Sequence, residues 1–198
     1  MRVKTDERRQ AIIEAATQVF REEGYARASM DSIARRAGGS KATLYGYFKS
    51  KDELFEAAMT EAVESAVERL SPLLDATSHE LQPVLERLAE AYLTFILSDD
   101  ILPITRAIVG EGPAHGLGNA LFEKGPRRGL KIMAEYFAEQ MRRGHLREAD
   151  PLTVALHFKG LIESDHLEAA LYGAEPSREG RGAIRDAVKA FLAAYRPA

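Results

Sequence analysis

Apolar residues recur three and four positions apart along nearly the whole chain, and no stretch alternates apolar with polar residues between turn signals. The pattern predicts an all-α protein. A first helix is expected over 6–23: Thr5 can cap it, Asp6 and Glu7 suit its positive end, and Ile12, Ile13, Ala16, Val19 and Phe20 form one apolar face. Gly24 should stop it. Ser29 then caps a short second helix carrying Ile33 and Ala34, Ala37-Gly38-Gly39 breaks the chain, and Ser40 opens a third helix ending near Gly46. Ser50 followed three residues later by Glu53 reads as a capping box, which starts a long fourth helix towards Leu70. Beyond the polar stretch 72–78, further helices are expected at 81–97, 101–109, 117–143, 151–172 and 178–195. Asp150-Pro151 is a strong start signal, and Gly125-Pro126 must kink or split the helix that contains it. The glycine-rich run 110–118 lacks the spacing of a phosphate-binding loop and is expected to be a mobile connection.

Two short packed helices joined by a sharp turn can place the second in a major groove about 12 Å wide. The segment 29–51 has those proportions. Ile33, Ala37, Leu44 and Phe48 are expected to hold the three helices together, which leaves Lys41, Ala42, Thr43, Tyr45 and Tyr47 on or near the exposed side. Lys41 and Lys51 both fall in the first turn of a helix, where the dipole disfavours a cation. An external phosphate would remove that conflict.

Charge supports the same reading. The net charge of −3 conceals an asymmetry: residues 1–51 hold eleven Lys and Arg against six Asp and Glu, a net of +5, and the remainder is −8. A basic head on an acidic body fits a head that meets a polyanion, although uneven charge is also common as mere surface decoration. With no cysteine, disulfide frameworks, cysteine zinc sites and thiol catalysis are excluded. No run approaches the roughly 18 apolar residues of a membrane helix, and the first residues lack the apolar core of a signal peptide. The expectation is a soluble protein, located in the cytoplasm, with no membrane partner.

The run SMDSIARRAGGSKATLYGYFKSKDEL, residues 29–54, resembles the N-terminal domain of the TetR/AcrR family of transcriptional regulators, and the likeness is sharp over residues 8–56. Members are homodimeric all-α bacterial regulators, mostly repressors, which leave their operator when a small molecule binds the larger C-terminal domain. The resemblance implies that Ser40, at the opening of the recognition helix, belongs to the DNA-binding set and that Lys41, Ala42 and Thr43 stand at the helix's base-facing start. It makes Tyr45, Tyr47 and Lys51 phosphate contacts, and Ser29 a cap that also approaches phosphate. Gly39 departs from the pattern, since an apolar residue, often Val, is common there; Gly46 stands where a larger residue is usual. In the body, Pro103-Ile104-Thr105-Arg106 and Gly125-Pro126-Arg127-Arg128 look like the C-terminal domain of an AefR-type or AcrR-type subgroup.

The chain is therefore expected to divide into a helix-turn-helix DNA-binding domain, 1–51, and a helical effector-binding and dimerisation domain, 52–198. Candidates for an apolar effector pocket are Tyr92, Phe95, Ile96, Ile104, Arg106, Ile108, Phe122, Met133, Tyr136, Phe137, His157 and Phe158, although spacing alone does not separate a pocket wall from a core. Reading two half-sites needs two heads, so a homodimer is expected. Leu152, Ala155, Leu156, Leu161 and Ile162 on one of the last two helices, with Ile184, Val188, Phe191 and Leu192 on the other, are the candidate seam, the alternative being that they cover their own core. Glu163 and His166 stand three apart on one helix, a spacing that carboxylate-bridged metal sites use, but the second such pair is missing, so no metal or cofactor is expected. No catalytic motif is present. The leading expectation is a ligand-released repressor acting on operator duplex DNA, with a partly apolar small molecule as effector. The alternative is a small-molecule-binding or scaffolding helical protein without specific DNA binding.

Overall fold

The computed structural model describes residues 5–74, 80–115, 117–178 and 180–197; for residues 63, 67, 111–115 and 117 it describes the backbone only. The described residues form ten α-helices and no strand: α1 Asp6–Arg27, α2 Met30–Arg36, α3 Lys41–Tyr47, α4 Lys51–Leu70, α5 Leu81–Ile96, α6 Leu102–His115, α7 Leu117–Lys124, α8 Pro126–Arg142, α9 Pro151–Tyr172 and α10 Gly180–Tyr195. A 3₁₀ turn, Ser71–Leu73, follows α4.

Local chemistry sets these limits. Thr5 Oγ1 accepts from the Arg8 amide at the start of α1. Gly24, at φ 75° and ψ 161°, breaks helical geometry as expected, and one further turn follows before Ala28. Gly38 takes φ 63°, a left-handed conformation that lets the chain reverse between α2 and α3. Asp150 accepts from the Thr153 amide at 2.8 Å, with Pro151 in the first turn of α9. Gly125-Pro126 splits the expected 117–143 helix into α7 and α8.

One expectation is overturned: the glycine-rich run is not simply a connection, because α6 continues to His115 and α7 resumes at Leu117. Gly116 lies outside the described residues, as do the side chain of His115 and residues 75–79 of the polar stretch after α4.

The chain forms two compact units, one made of residues through Glu64 with Asp99–Gly125, the other of Ser65–Ser98 with the residues from Pro126 on. These compact units follow a different boundary from the functional division at residue 51, because α6 and α7 pack with the N-terminal helices. In the first unit, Ile12, Ile13, Ala16, Val19 and Phe20 of α1 are buried with Ile33, Leu44, Phe48, Leu54, Phe55, Ile104 and Leu121. In the second, α5, α8, α9 and α10 bury Leu85, Leu88, Phe137, Phe158, Val188 and Phe191 together. At Ser164, φ 33° and ψ −124° interrupt α9, the one non-glycine residue with positive φ among the described residues. Such a conformation costs of order 1–3 kcal/mol and persists only where neighbours hold it.

Candidate nucleic-acid interface

The segment expected to dock on DNA is built on three buried anchors. Ile33, Leu44 and Phe48 are buried and Ala37 packs at their edge, so α2 and α3 are fixed against α1. Leu44 and Phe48 stand four positions apart, one helical turn, and Tyr45 and Gly46 between them face outward. Lys41, Ala42 and Gly46 are exposed, Thr43 is half-buried, and Tyr45 is 46% exposed. Tyr47 packs partly on the core, and its hydroxyl accepts from the Thr5 amide at 3.1 Å. Of the two tyrosines, Tyr45 is the one presented outward.

Both serines cap. Ser29 Oγ accepts from the Ser32 amide at 3.0 Å while Ser32 Oγ accepts from the Ser29 amide at 3.1 Å, a reciprocal box that opens α2. Ser40 Oγ accepts from the Thr43 amide at 3.1 Å and lies 2.9 Å from Thr43 Oγ1. Ser50 Oγ accepts from the Glu53 amide at 3.1 Å, but the Glu53 carboxylate reaches past Ser50 to the Lys49 amide at 2.6 Å, one residue earlier than a standard capping box.

The two helix-start lysines are satisfied inside the protein. Lys41 Nζ donates to Asp31 Oδ2 at 3.1 Å, and this carboxylate in the first turn of α2 raises the lysine above its ordinary pKa. Both side chains are exposed, so the pair is weak and can exchange for a phosphate. Lys51 differs. Its ammonium donates to the carbonyls of Tyr25 at 2.8 Å, Ala26 at 3.4 Å and Ala28 at 3.2 Å, and sits 4.2 Å from the centre of the Tyr25 ring. Beside it the Tyr25 hydroxyl donates to Asp52. Lys51 thus closes the carbonyl end of α1 and fastens α4 to it, a structural duty beside the phosphate contact expected of this lysine. Lys51→Met removes the donor from three carbonyls and is expected to destabilise the protein by about 1–3 kcal/mol, read as a lower urea midpoint, with DNA affinity falling in step. An unchanged midpoint with weakened DNA binding would instead point to a direct phosphate contact.

Gly46 has open space around a built Cβ, so a larger residue would fit and its absence removes a side chain from the exposed face of α3. Sequence reasoning missed two further cross-links of the head. Arg36 pairs with Glu22, which holds α2 to α1, and the Arg9 guanidinium lies 5.2 Å from the centre of the Phe48 ring.

The candidate pocket residues divide between the two units. Ile104 and Ile108 pack in the first unit's core; Arg106 and Phe122 are exposed there. In the second unit Met133, Tyr136, Phe137 and Phe158 are buried core, with Tyr92 and Ile96 packed against them; Phe95 lies beneath the Arg69 guanidinium, 5.9 Å from ring centre to Cζ. His157 is exposed and its Nδ1 shares a hydrogen bond with the Tyr195 hydroxyl. The polar focus of this unit is Glu163. It accepts from the Tyr92 hydroxyl at 2.6 Å on one oxygen and from Lys159 Nζ at 2.6 Å on the other. Burial, with the Glu163 carboxylate alongside, pushes the Tyr92 phenol well above its usual range. Asp165 accepts from the Ser177 amide at 2.5 Å.

Most of the expected dimer seam faces inward. Ala155, Ile162, Val188, Phe191 and Leu192 are buried in the second unit's own core, and Ile184 packs at its edge. These positions correct the expectation: a helix with two apolar faces turns one to its own domain. Leu152 and Leu156, one turn apart on the opposite face of α9, are 43% and 49% exposed, and Leu161 is also exposed. Thr153, His157 and Gly160 on α9, and Ala190, Ala193 and Ala194 on α10, are exposed as well.

Known proteins share these features. Residues 12–58 match the profile of bacterial regulatory proteins of the tetR family, and residues 83–197 match that of the AefR-like transcriptional repressor C-terminal domain. The nicotine-responsive transcriptional repressor HdnoR of Paenarthrobacter nicotinovorans is 31% identical over 120 residues, 59% of this chain and 61% of that protein. The transcriptional activator FasR of Mycolicibacterium smegmatis is 41% identical over 98 residues, 50% of this chain and 44% of that protein. The chain thus spans less than two thirds of the length of these curated relatives. A solved structure assigned to the TetR family, from Mesorhizobium loti, superposes with a TM-score of 0.91 at 26% identity, covering 99% of this chain and 100% of that one. The flavonoid-responsive regulator FrrA superposes with a TM-score of 0.76 at 30% identity, covering 98% and 99%. With a helix-turn-helix on three buried anchors and an AefR-like match over most of the remainder, the chain belongs to the TetR family of bacterial transcriptional regulators.

Proposed function

We propose that the protein is a homodimeric, cytoplasmic, non-enzymatic repressor that binds operator duplex DNA through α2 and α3 and is released by a partly apolar small molecule. The observation that carries this reading is the face of α3: Lys41, Ala42 and Tyr45 stand exposed, beside half-buried Thr43, on a helix whose other side is buried through Leu44 and the following Phe48. In this reading Lys41 exchanges Asp31 for DNA, and Ala42 and Thr43 meet base edges. Tyr45 donates to a backbone phosphate, while Ser29, Ser40, Tyr47 and Lys51 hold the reading helix in place.

Two exposed leucines and the adjoining small residues of α10 support α9 and α10 as the surface that joins two copies. The effector is assigned to the second unit, where Tyr92, Glu163 and Lys159 supply polar groups beside apolar helices. The relatives described as nicotine-responsive and flavonoid-responsive favour a small organic effector. Both a repressor and an activator occur among the relatives; the AefR-like repressor match over residues 83–197 favours repression. Residues of α4 belong to both units, which makes this helix one of the covalent routes by which an effector would alter the heads.

The test is a pair of substitutions read against a duplex selected from a random-sequence pool. Tyr45→Ala is expected to weaken the selected duplex and its base-substituted variants by a similar factor, because a phosphate contact positions without specifying. Thr43→Val should change which base substitutions are tolerated. A Tyr45→Ala loss confined to particular bases, or a Thr43→Val protein with unchanged preferences, would contradict these roles.

A further inference from the structure

Arg8, like Arg35 and Lys49, is a cation of the head whose side chain makes no hydrogen bond or ion pair among the described residues. Lys41 has Asp31, Arg36 has Glu22, Lys51 has three carbonyls and Arg9 lies over Phe48. The Arg8 guanidinium is part of a half-buried residue and makes no hydrogen bond or ion pair among the described residues. It is nonetheless placed. A Cβ built on Gly39 would fall well inside contact with Arg8 Nη2 and 3.6 Å from Cζ, so the guanidinium fills the space that any side chain at position 39 would take.

Gly39 is not required by its backbone. Gly38 has a left-handed φ of 63°, whereas Gly39 has no positive φ and its amide simply donates to the Ala34 carbonyl at 3.0 Å. A side chain at position 39 would push aside the flexible end of Arg8, which in this structure lies across the glycine. Because Ser40, the next residue, opens α3, Arg8 is delivered from α1 to the entry of the helix proposed to read the operator.

We infer that Arg8 is a DNA-backbone ligand: its guanidinium, laid over Gly39, takes a phosphate beside the start of α3. A guanidinium presents paired donors that match phosphate oxygens, and one without an acceptor of its own gains a partner when an anion arrives. The inference rests on the reading of α2 and α3 as the DNA-binding element and adds to it a contact made by α1.

The experiment compares the unaltered protein with Arg8→Ala, Arg8→Lys, Gly39→Ala and the double variant Arg8→Ala/Gly39→Ala. Each is titrated with a fluorescein-labelled duplex recovered from a random-sequence pool, and with an unrelated duplex, between about 50 and 200 mM salt. Arg8→Ala is expected to lower affinity for both duplexes by about tenfold per engaged head and to reduce the log–log salt slope by about 0.9 per head. Arg8→Lys should keep the slope with weaker binding. Gly39→Ala, which displaces the guanidinium, should weaken binding in the parent protein and add nothing once Arg8 is alanine.

An Arg8→Ala protein with the parental slope overturns the assignment. So do independent, additive effects of the two substitutions, or a loss of affinity that only follows a lowered urea midpoint. If the unaltered protein binds no duplex, the DNA-binding reading fails and this one with it; if it binds with a steep salt slope and Arg8→Ala is indistinguishable, the Arg8 assignment alone fails.

Discussion

Replacing Leu152 and Leu156 together by aspartate is expected to turn the protein into a folded monomer and to reduce its affinity for a two-half-site operator by at least about a hundredfold. Both leucines are exposed, at 43% and 49%, so two carboxylates there disturb no core. If α9 meets its symmetry mate, those carboxylates enter an apolar contact without partners, and burying such charges is far costlier than leaving them in water. A dimer also makes the second half-site contact intramolecular, an advantage of about 10²–10⁴ that a monomer forfeits. Light scattering should give the monomer mass with unchanged helicity by circular dichroism. A variant that keeps the dimer mass would move the interface away from this face of α9.

Phe137→Ala is expected to cost about 3–5 kcal/mol of stability, measured by urea unfolding. Phe137 is 0% exposed, and its ring centre lies 5.5 Å from that of Tyr136, 5.4 Å from Phe158 and 5.1 Å from Phe191. Three helices, α8, α9 and α10, therefore meet on one ring. Truncation removes apolar burial and leaves a void that its neighbours only partly fill. The variant also decides a matter of function, since Phe137 and Phe158 were candidates for an effector pocket. A loss of less than about 1 kcal/mol would mark the ring as a pocket wall; the larger loss marks it as core and moves the effector towards Tyr92 and Glu163.

Helix limits were legible wherever local chemistry decides them. Asp150-Pro151 opens α9, Gly125-Pro126 separates α7 from α8, and Ser29 and Ser40 cap α2 and α3. The anchors Ile33, Leu44 and Phe48 followed from helical spacing, because one buried face was enough to phase so short a helix. The helix-start lysines stand out in the sequence, but their partners lie in other elements: Asp31 is ten residues from Lys41, and the carbonyls that hold Lys51 lie 23 to 26 residues away. No local pattern carries that information. The same holds for Gly39, which stood out only as a departure from the family pattern and is overlain from α1 by Arg8.

In the body, periodicity failed for another reason. On α9 both faces carry apolar residues, so spacing grouped Leu152 and Leu156 with Ala155 and Ile162, which the fold places on opposite sides. The packing of α6 and α7 with the N-terminal helices is a long-range contact that the division at residue 51 does not contain. The glycines of 110–118 were read as loop although α6 extends to His115, since glycine weakens a helix by about 1 kcal/mol without forbidding it.

The central claim, that the basic head reads duplex DNA, is tested most directly by titrating the unaltered protein against a duplex selected from a random-sequence pool and against a scrambled duplex, across a salt series. Preference for the selected duplex by at least about 10³-fold, with an affinity that falls steeply as salt rises, is the predicted result. Equal, weak binding to both duplexes, or none at moderate ionic strength, would contradict it.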